Sequence, residues 1–85
     1  MKDGTWLDSI VKAMTELGGN ARYDDLYQQV EKVRKKEGLP LNDSYKATIR
    51  QVIESYSSDS DIWKKRPGTD IFRKLGTGLW GLRNS

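Results

Sequence analysis

Cysteine and histidine are both absent from this 85-residue chain. Without cysteine there is no disulfide framework, no thiolate metal site and no thiol nucleophile. Without histidine the commonest general base and the commonest zinc ligand are gone as well. Only carboxylates, hydroxyls and lysines are left to do chemistry, so the expectation is a protein that is not an enzyme and holds no cofactor and no metal. Long apolar runs are missing too. None exceeds two residues, as at Ile10-Val11 and Val52-Ile53, whereas crossing a bilayer takes about 20. The opening Met1-Lys2-Asp3-Gly4 leads into a segment carrying Asp8 and Lys12 instead of the unbroken apolar stretch of a secretory signal. A cytoplasmic protein is the plain expectation. There is no P-loop, no dinucleotide glycine fingerprint and no convincing nuclease-like pairing of carboxylates with a lysine.

What is present is charge, unevenly placed. The net charge is +3, but residues 1–31 carry three basic and six acidic side chains, whereas residues 32–85 carry twelve and six. Clustered Lys and Arg can replace the counterions condensed on a phosphate backbone, so the carboxy-terminal part is the anion-facing half, unless the excess is simply a solvated surface.

At 9.7 kDa the chain has room for one domain, residues 1–85, with one core. Thr5 and Asp8 resemble a capping box, and Trp6, Leu7, Ile10, Val11, Met14 and Leu17 recur at helical spacing. This predicts a helix over Thr5 to Leu17, closed by Gly18-Gly19. A second helix is expected from Asp24 or Asp25, burying Leu26, Tyr27, Val30 and Val33. Its last turn, Arg34-Lys35-Lys36, suits the negative helix end better than it argues for a DNA contact. Gly38 and Pro40 stop it. A third helix is expected over about Ser44 to Ser57, with Tyr45, Ile49, Val52, Ile53 and Tyr56 on the core side. Two alternating segments, 70–75 and 79–83, flank the turn Gly76-Thr77-Gly78 and read as a β-hairpin with Phe72, Trp80 and Leu82 buried. A short strand around Ala21 to Tyr23 is expected to pair with it. Three helices followed by a hairpin give an α+β chain with the element order of a winged helix, whose second helix-turn-helix helix enters the major groove.

That role falls to the third helix. Ser44, Ala47, Thr48 and Gln51 form an i, i+3, i+4, i+7 line away from the core, and Ala47 is small enough to permit close approach. Gln51 can bond adenine at two points, and Arg50 or Lys46 can reach guanine or a phosphate. The competing reading pairs Arg50 with Glu54 one turn later, an attraction worth only about 0.2–0.5 kcal/mol in an isolated helix. A second basic group, Lys64, Lys65 and Arg66 with Arg73, Lys74 and Thr77 around the hairpin, is placed to follow a phosphate backbone, or else is a bland basic loop. Trp63 reads more as an anchor for that loop than as a base-stacking ring, and Trp6 and Trp80 read as core. Asp59-Ser60-Asp61 is a weak metal motif whose ordinary role is a solvated turn.

The segments Ala47-Thr48-Ile49-Arg50-Gln51, Ser57-Ser58-Asp59-Ser60, Asp70-Ile71-Phe72 and Gly76-Thr77-Gly78-Leu79-Trp80-Gly81-Leu82-Arg83 resemble winged-helix modules attached to prokaryotic restriction endonucleases. Leu17-Gly18-Gly19-Asn20-Ala21 and the helix after it are similar to the opening of the same modules and to HARE-type helix-turn-helix domains. The resemblance implies recognition of double-stranded DNA, sensitive to sequence or base modification, in restriction and defence or in transcription regulation. It also implies a nuclease domain or other protein as a partner. The rival expectation is a protein-interaction adaptor on the same scaffold, working through an acidic first helix with Asp8 and Glu16 exposed.

Overall fold

The computed structural model describes residues 5–63 and 70–83. The elements run α1 (Trp6–Glu16), β1 (Asn20–Arg22), α2 (Tyr23–Lys36), α3 (Tyr45–Ser55), β2 (Phe72–Gly76) and β3 (Leu79–Leu82). The strands form one antiparallel sheet in the order β1-β3-β2, so the fold is α+β, with three helices and a three-stranded sheet.

Local chemistry sets most of the boundaries. Thr5 sits in extended backbone and its Oγ1 accepts from the Asp8 amide at 3.1 Å, satisfying one of the unpaired donors of the first turn. At the other end the Gly19 amide donates to Met14 and the Gly18 amide to Thr15, with Gly18 at φ +98°, a conformation that costs glycine little. α2 begins at Tyr23, earlier than the sequence suggests, because the Tyr23 amide finds a tertiary acceptor in the Gly78 carbonyl of the hairpin turn at 3.1 Å. α3 ends at Ser55, earlier than expected. The Tyr56 carbonyl is taken by the amides of Ile71 and Phe72 at 2.7 and 3.1 Å, which turns the chain toward β2.

The core lies between the helices and one sheet face. Ile10 and Met14 of α1, Leu26 and Val30 of α2, Ile49 and Ile53 of α3, and Phe72 of β2 are fully buried, and Ala21 and Trp80 join them from the central pairing of β1 with β3. Each large aliphatic or aromatic side chain removed from water in this way contributes about 1.5–3 kcal/mol. Leu82 lies opposite Phe72 and packs on the same core. Gly81 of β3 is closely covered: a Cβ there would lie 3.3 Å from the Gly19 carbonyl oxygen and 3.0 Å from the Leu75 side chain. Trp6 packs on the core and Trp80 belongs to it, as expected, whereas Trp63 is partly buried but outside that cluster and its packing shell.

One residue of the basic run at the end of α2 departs from its expected role. Arg34 is 2% exposed. Its Nε donates to the Pro40 carbonyl at 2.7 Å, its Nη1 to Ser9 Oγ at 3.0 Å, and its guanidinium lies 3.8 Å from the centre of the Trp6 ring. It is therefore an internal tie joining α1, α2 and the segment after α2, and not a surface cation at a helix end. Truncating it strands Ser9 and the Pro40 carbonyl and opens a void. Arg34→Ala is expected to cost about 2–4 kcal/mol in urea unfolding. A midpoint and slope matching those of the unsubstituted protein would show that the tie carries no stability.

Candidate nucleic-acid interface

The side of α3 opposite Ile49 and Ile53 is open to solvent. Ser44 at the helix start and Lys46, Ala47, Arg50 and Gln51 are all exposed. Thr48 is different. It is half-buried and its hydroxyl donates back to the Ser44 carbonyl at 3.2 Å, so its oxygen is partly committed inside the helix.

Arg50 does not reach along its own helix to Glu54. Its Nη1 donates to the Tyr27 hydroxyl on α2 at 2.8 Å, which stabilises the charged guanidinium and raises its pKa. The Glu54 carboxylate instead accepts from the Tyr23 hydroxyl at 3.2 Å. Burial, and then the negative charge of Glu54, push the Tyr23 phenol well above its ordinary pKa. Tyr23 and Tyr27 stack with centroids 5.9 Å apart and planes 7° from parallel, and Tyr23 meets Trp80 at 6.4 Å. Lys46 lies over the Tyr27 ring at 5.7 Å. The two cations of α3, Lys46 in its first turn and Arg50 in its middle, thus converge on one tyrosine of the neighbouring helix.

The hairpin is fastened to the end of α3 by a charged clasp. The Ser58 amide and hydroxyl donate to the two oxygens of Asp70 at 2.9 and 2.8 Å. Asp59 Oδ2 accepts the Lys74 amide at 2.8 Å and Arg83 Nη2 at 3.1 Å, and Arg83 Nη2 also donates to the Phe72 carbonyl at 3.0 Å. Arg83 Nε completes an ion pair with Asp70 Oδ1 at 2.9 Å, although its alignment falls short of a hydrogen bond. Asp59 is thereby a structural acceptor, and among the described residues no group of three or more acidic side chains is placed to hold a metal.

Arg73, Lys74 and Thr77 are exposed on the hairpin. Lys74 sits beside Glu54, Asp59, Ser60, Asp61, Ile62 and Trp80 around an open notch of about 310 Å³ between the end of α3 and the sheet. Lys64, Lys65 and Arg66 lie outside the described residues. From the sequence Tyr23 was expected in a short strand, Tyr27 as a core residue and Glu54 as a partner of Arg50, and the tyrosine hydroxyls were not singled out as partners of α3. The available signal was the pair of tyrosines four residues apart, since a buried phenol needs a partner for its hydroxyl.

No family model, curated protein or solved structure matches the chain. The interface is therefore read from its own chemistry. The acidic surface of α1 is partly engaged within the domain. Glu16 accepts from Gln29 at 2.8 Å, and Lys12, between Asp8 and Glu16 in sequence, pairs with Glu37 of the segment after α2. Among the described residues no helix is long and apolar enough to cross a membrane.

The clasp gives a pH dependence. Hydrogen bonds from the Ser58 amide, then from its hydroxyl, together with the charge of Arg83, hold the Asp70 carboxyl below its ordinary pKa of 3.8. A depressed folded-state pKa stabilises the fold above the unfolded value, and that contribution is lost as pH falls through 3.8 and then through the lower folded value. Asp70→Asn is therefore expected to flatten the fall of melting temperature on acidification through this range, and an acid profile identical to that of the unsubstituted protein would remove Asp70 from the clasp.

Proposed function

We propose that the chain is a winged-helix module that binds double-stranded DNA, with α3 as the reading helix and the β2–β3 hairpin as the wing. The observation that carries this reading is the exposed face of α3. It is rich in hydrogen-bonding groups, small at Ala47, positive at Lys46 and Arg50, and uncovered by any other described element. Such a strip matches the major groove, where Arg pairs with guanine O6 and N7 and Gln pairs with adenine N6 and N7. Ser44, Lys46, Ala47, Thr48, Arg50 and Gln51 are assigned to the groove, with Thr48 contributing mainly its methyl group. Arg73, Lys74 and Thr77, together with Lys64, Lys65 and Arg66, are assigned to the phosphates. The resemblance to modules of restriction endonucleases supports a role in positioning a nuclease or a regulator on DNA, with the chain itself binding and not cutting.

Fluorescence anisotropy on labelled duplexes, methylated and unmethylated, at several salt concentrations tests the reading. Neutralising about four or five phosphates predicts log affinity falling against log salt with a slope near −4. The absence of binding even at low salt would overturn the DNA reading and favour the adaptor, with the α1 surface around Asp8 and Glu16 as its working face. Two substitutions separate the roles. Arg50→Ala with Gln51→Ala is expected to cut discrimination between sequences by about 5- to 100-fold with the fold intact. Arg73→Ala is expected to weaken all duplexes alike and lower the magnitude of the salt slope by about 1.

A further inference from the structure

Arg50 and Lys46 are one turn of α3 apart, and both are engaged by the same side chain of α2. We propose that Tyr27 is the positioning residue of the interface: its hydroxyl holds the Arg50 guanidinium in advance in a pose for guanine, while its ring engages the Lys46 ammonium. The proposal rests on the DNA reading above and assigns the base that this reading leaves open.

Tyr27 is suited to the task because it is itself immobilised. It is 8% exposed and stacks on Tyr23, whose amide is tied to Gly78 and whose hydroxyl is tied to Glu54. The phenol oxygen is therefore a fixed acceptor at the edge of α3. A bond from one Nη leaves the other donors of the guanidinium fork for a base edge, and a forked pair of parallel donors matches guanine O6 and N7. An arginine tethered before DNA arrives loses less rotamer freedom on binding, so its contact contributes more affinity and more selectivity. The Glu54 carboxylate accepts from Tyr23, and toward Arg50 it contributes the attraction of its charge without a direct bond. Lys46 meets the Tyr27 ring and the charge of Glu31, with no hydrogen bond or close ion pair among the described residues to fix its pose, which suits a phosphate as a point-charge partner.

Tyr27→Phe is the informative change, because it keeps the ring, its stacking and its contact with Lys46 and removes only the acceptor for Arg50. Arg50→Lys is the companion, keeping the charge on an exposed residue and losing the fork without touching the core. The duplexes preferred by the unsubstituted protein are first selected from a randomised pool and sequenced. A guanine is expected at one fixed position, and replacing that G·C pair by A·T should weaken binding. Tyr27→Phe is expected to lower this G·C preference by about five- to tenfold, and Arg50→Lys by at least as much. Affinity for unselected duplex and its salt slope should stay unchanged in Tyr27→Phe, a separation that mere loss of stability would not produce. In the free protein, nitrogen-15 NMR of the Arg50 guanidinium should show restricted rotation that Tyr27→Phe abolishes. An unaltered G·C preference in Tyr27→Phe, or Arg50 guanidinium signals that do not change, would overturn the proposal while leaving the DNA reading in place. Failure of the unsubstituted protein to bind any duplex would overturn both.

Discussion

The stack of Tyr23 on Tyr27 is the joint at which the parts of the molecule meet. Through the Tyr23 amide it holds the hairpin turn at Gly78, through the Tyr23 hydroxyl it holds the last turn of α3 at Glu54, and through the Tyr27 hydroxyl it holds the middle of α3 at Arg50. One face of Tyr23 also approaches Trp80 in the central strand. Helix α2 thus sets the relation between the other two parts of the interface through directional bonds, whereas hydrophobic burial, which is non-directional, supplies most of the stability beneath them. If this joint loosened, the core would persist but the cations of α3 would lose their common reference point.

Two further charged ties brace the same frame. Arg34 joins the start of α1 to the end of α2 and the segment after it, and Arg83 with Asp59 and Asp70 ties β2 and β3 to the segment after α3. Both use guanidinium groups as structural parts, so the positive charge of the carboxy-terminal half is smaller at the surface than a count of residues implies. Among the described residues, exposed cations remain on α3 at Lys46 and Arg50, on the hairpin at Arg73 and Lys74, on α2 at Lys32 and Lys36, and on β1 at Arg22.

The apolar architecture was legible in the sequence because it is periodic. Ile10, Met14, Leu26, Val30, Ile49, Ile53, Phe72 and Trp80 announce themselves by spacing, and the expected link at Ala21 pairs with Trp80 in β3. The exposed strip of α3 follows from the same arithmetic, since a residue on the far side of a buried face faces water. The polar partners were not legible. Arg34 bonds residues 6 and 25 positions away, Arg50 a residue 23 away and Tyr23 one 31 away. Spacing along one helix reveals only neighbours three and four residues off, which is why Glu54 stood as the natural partner for Arg50. The helix boundaries at Tyr23 and Ser55 moved for the same reason, because their terminal amide and carbonyl groups found acceptors and donors in the hairpin.

The central claim is that the open face of α3 is covered by duplex DNA. Titrating a nitrogen-15-labelled sample with a selected duplex and following backbone and side-chain shifts tests it most directly. The account predicts that the largest changes fall on Lys46, Ala47, Arg50 and Gln51, with a second group at Arg73 and Thr77, and that α1 is little affected. Changes centred on Asp8 and Glu16, or none at all, would contradict it.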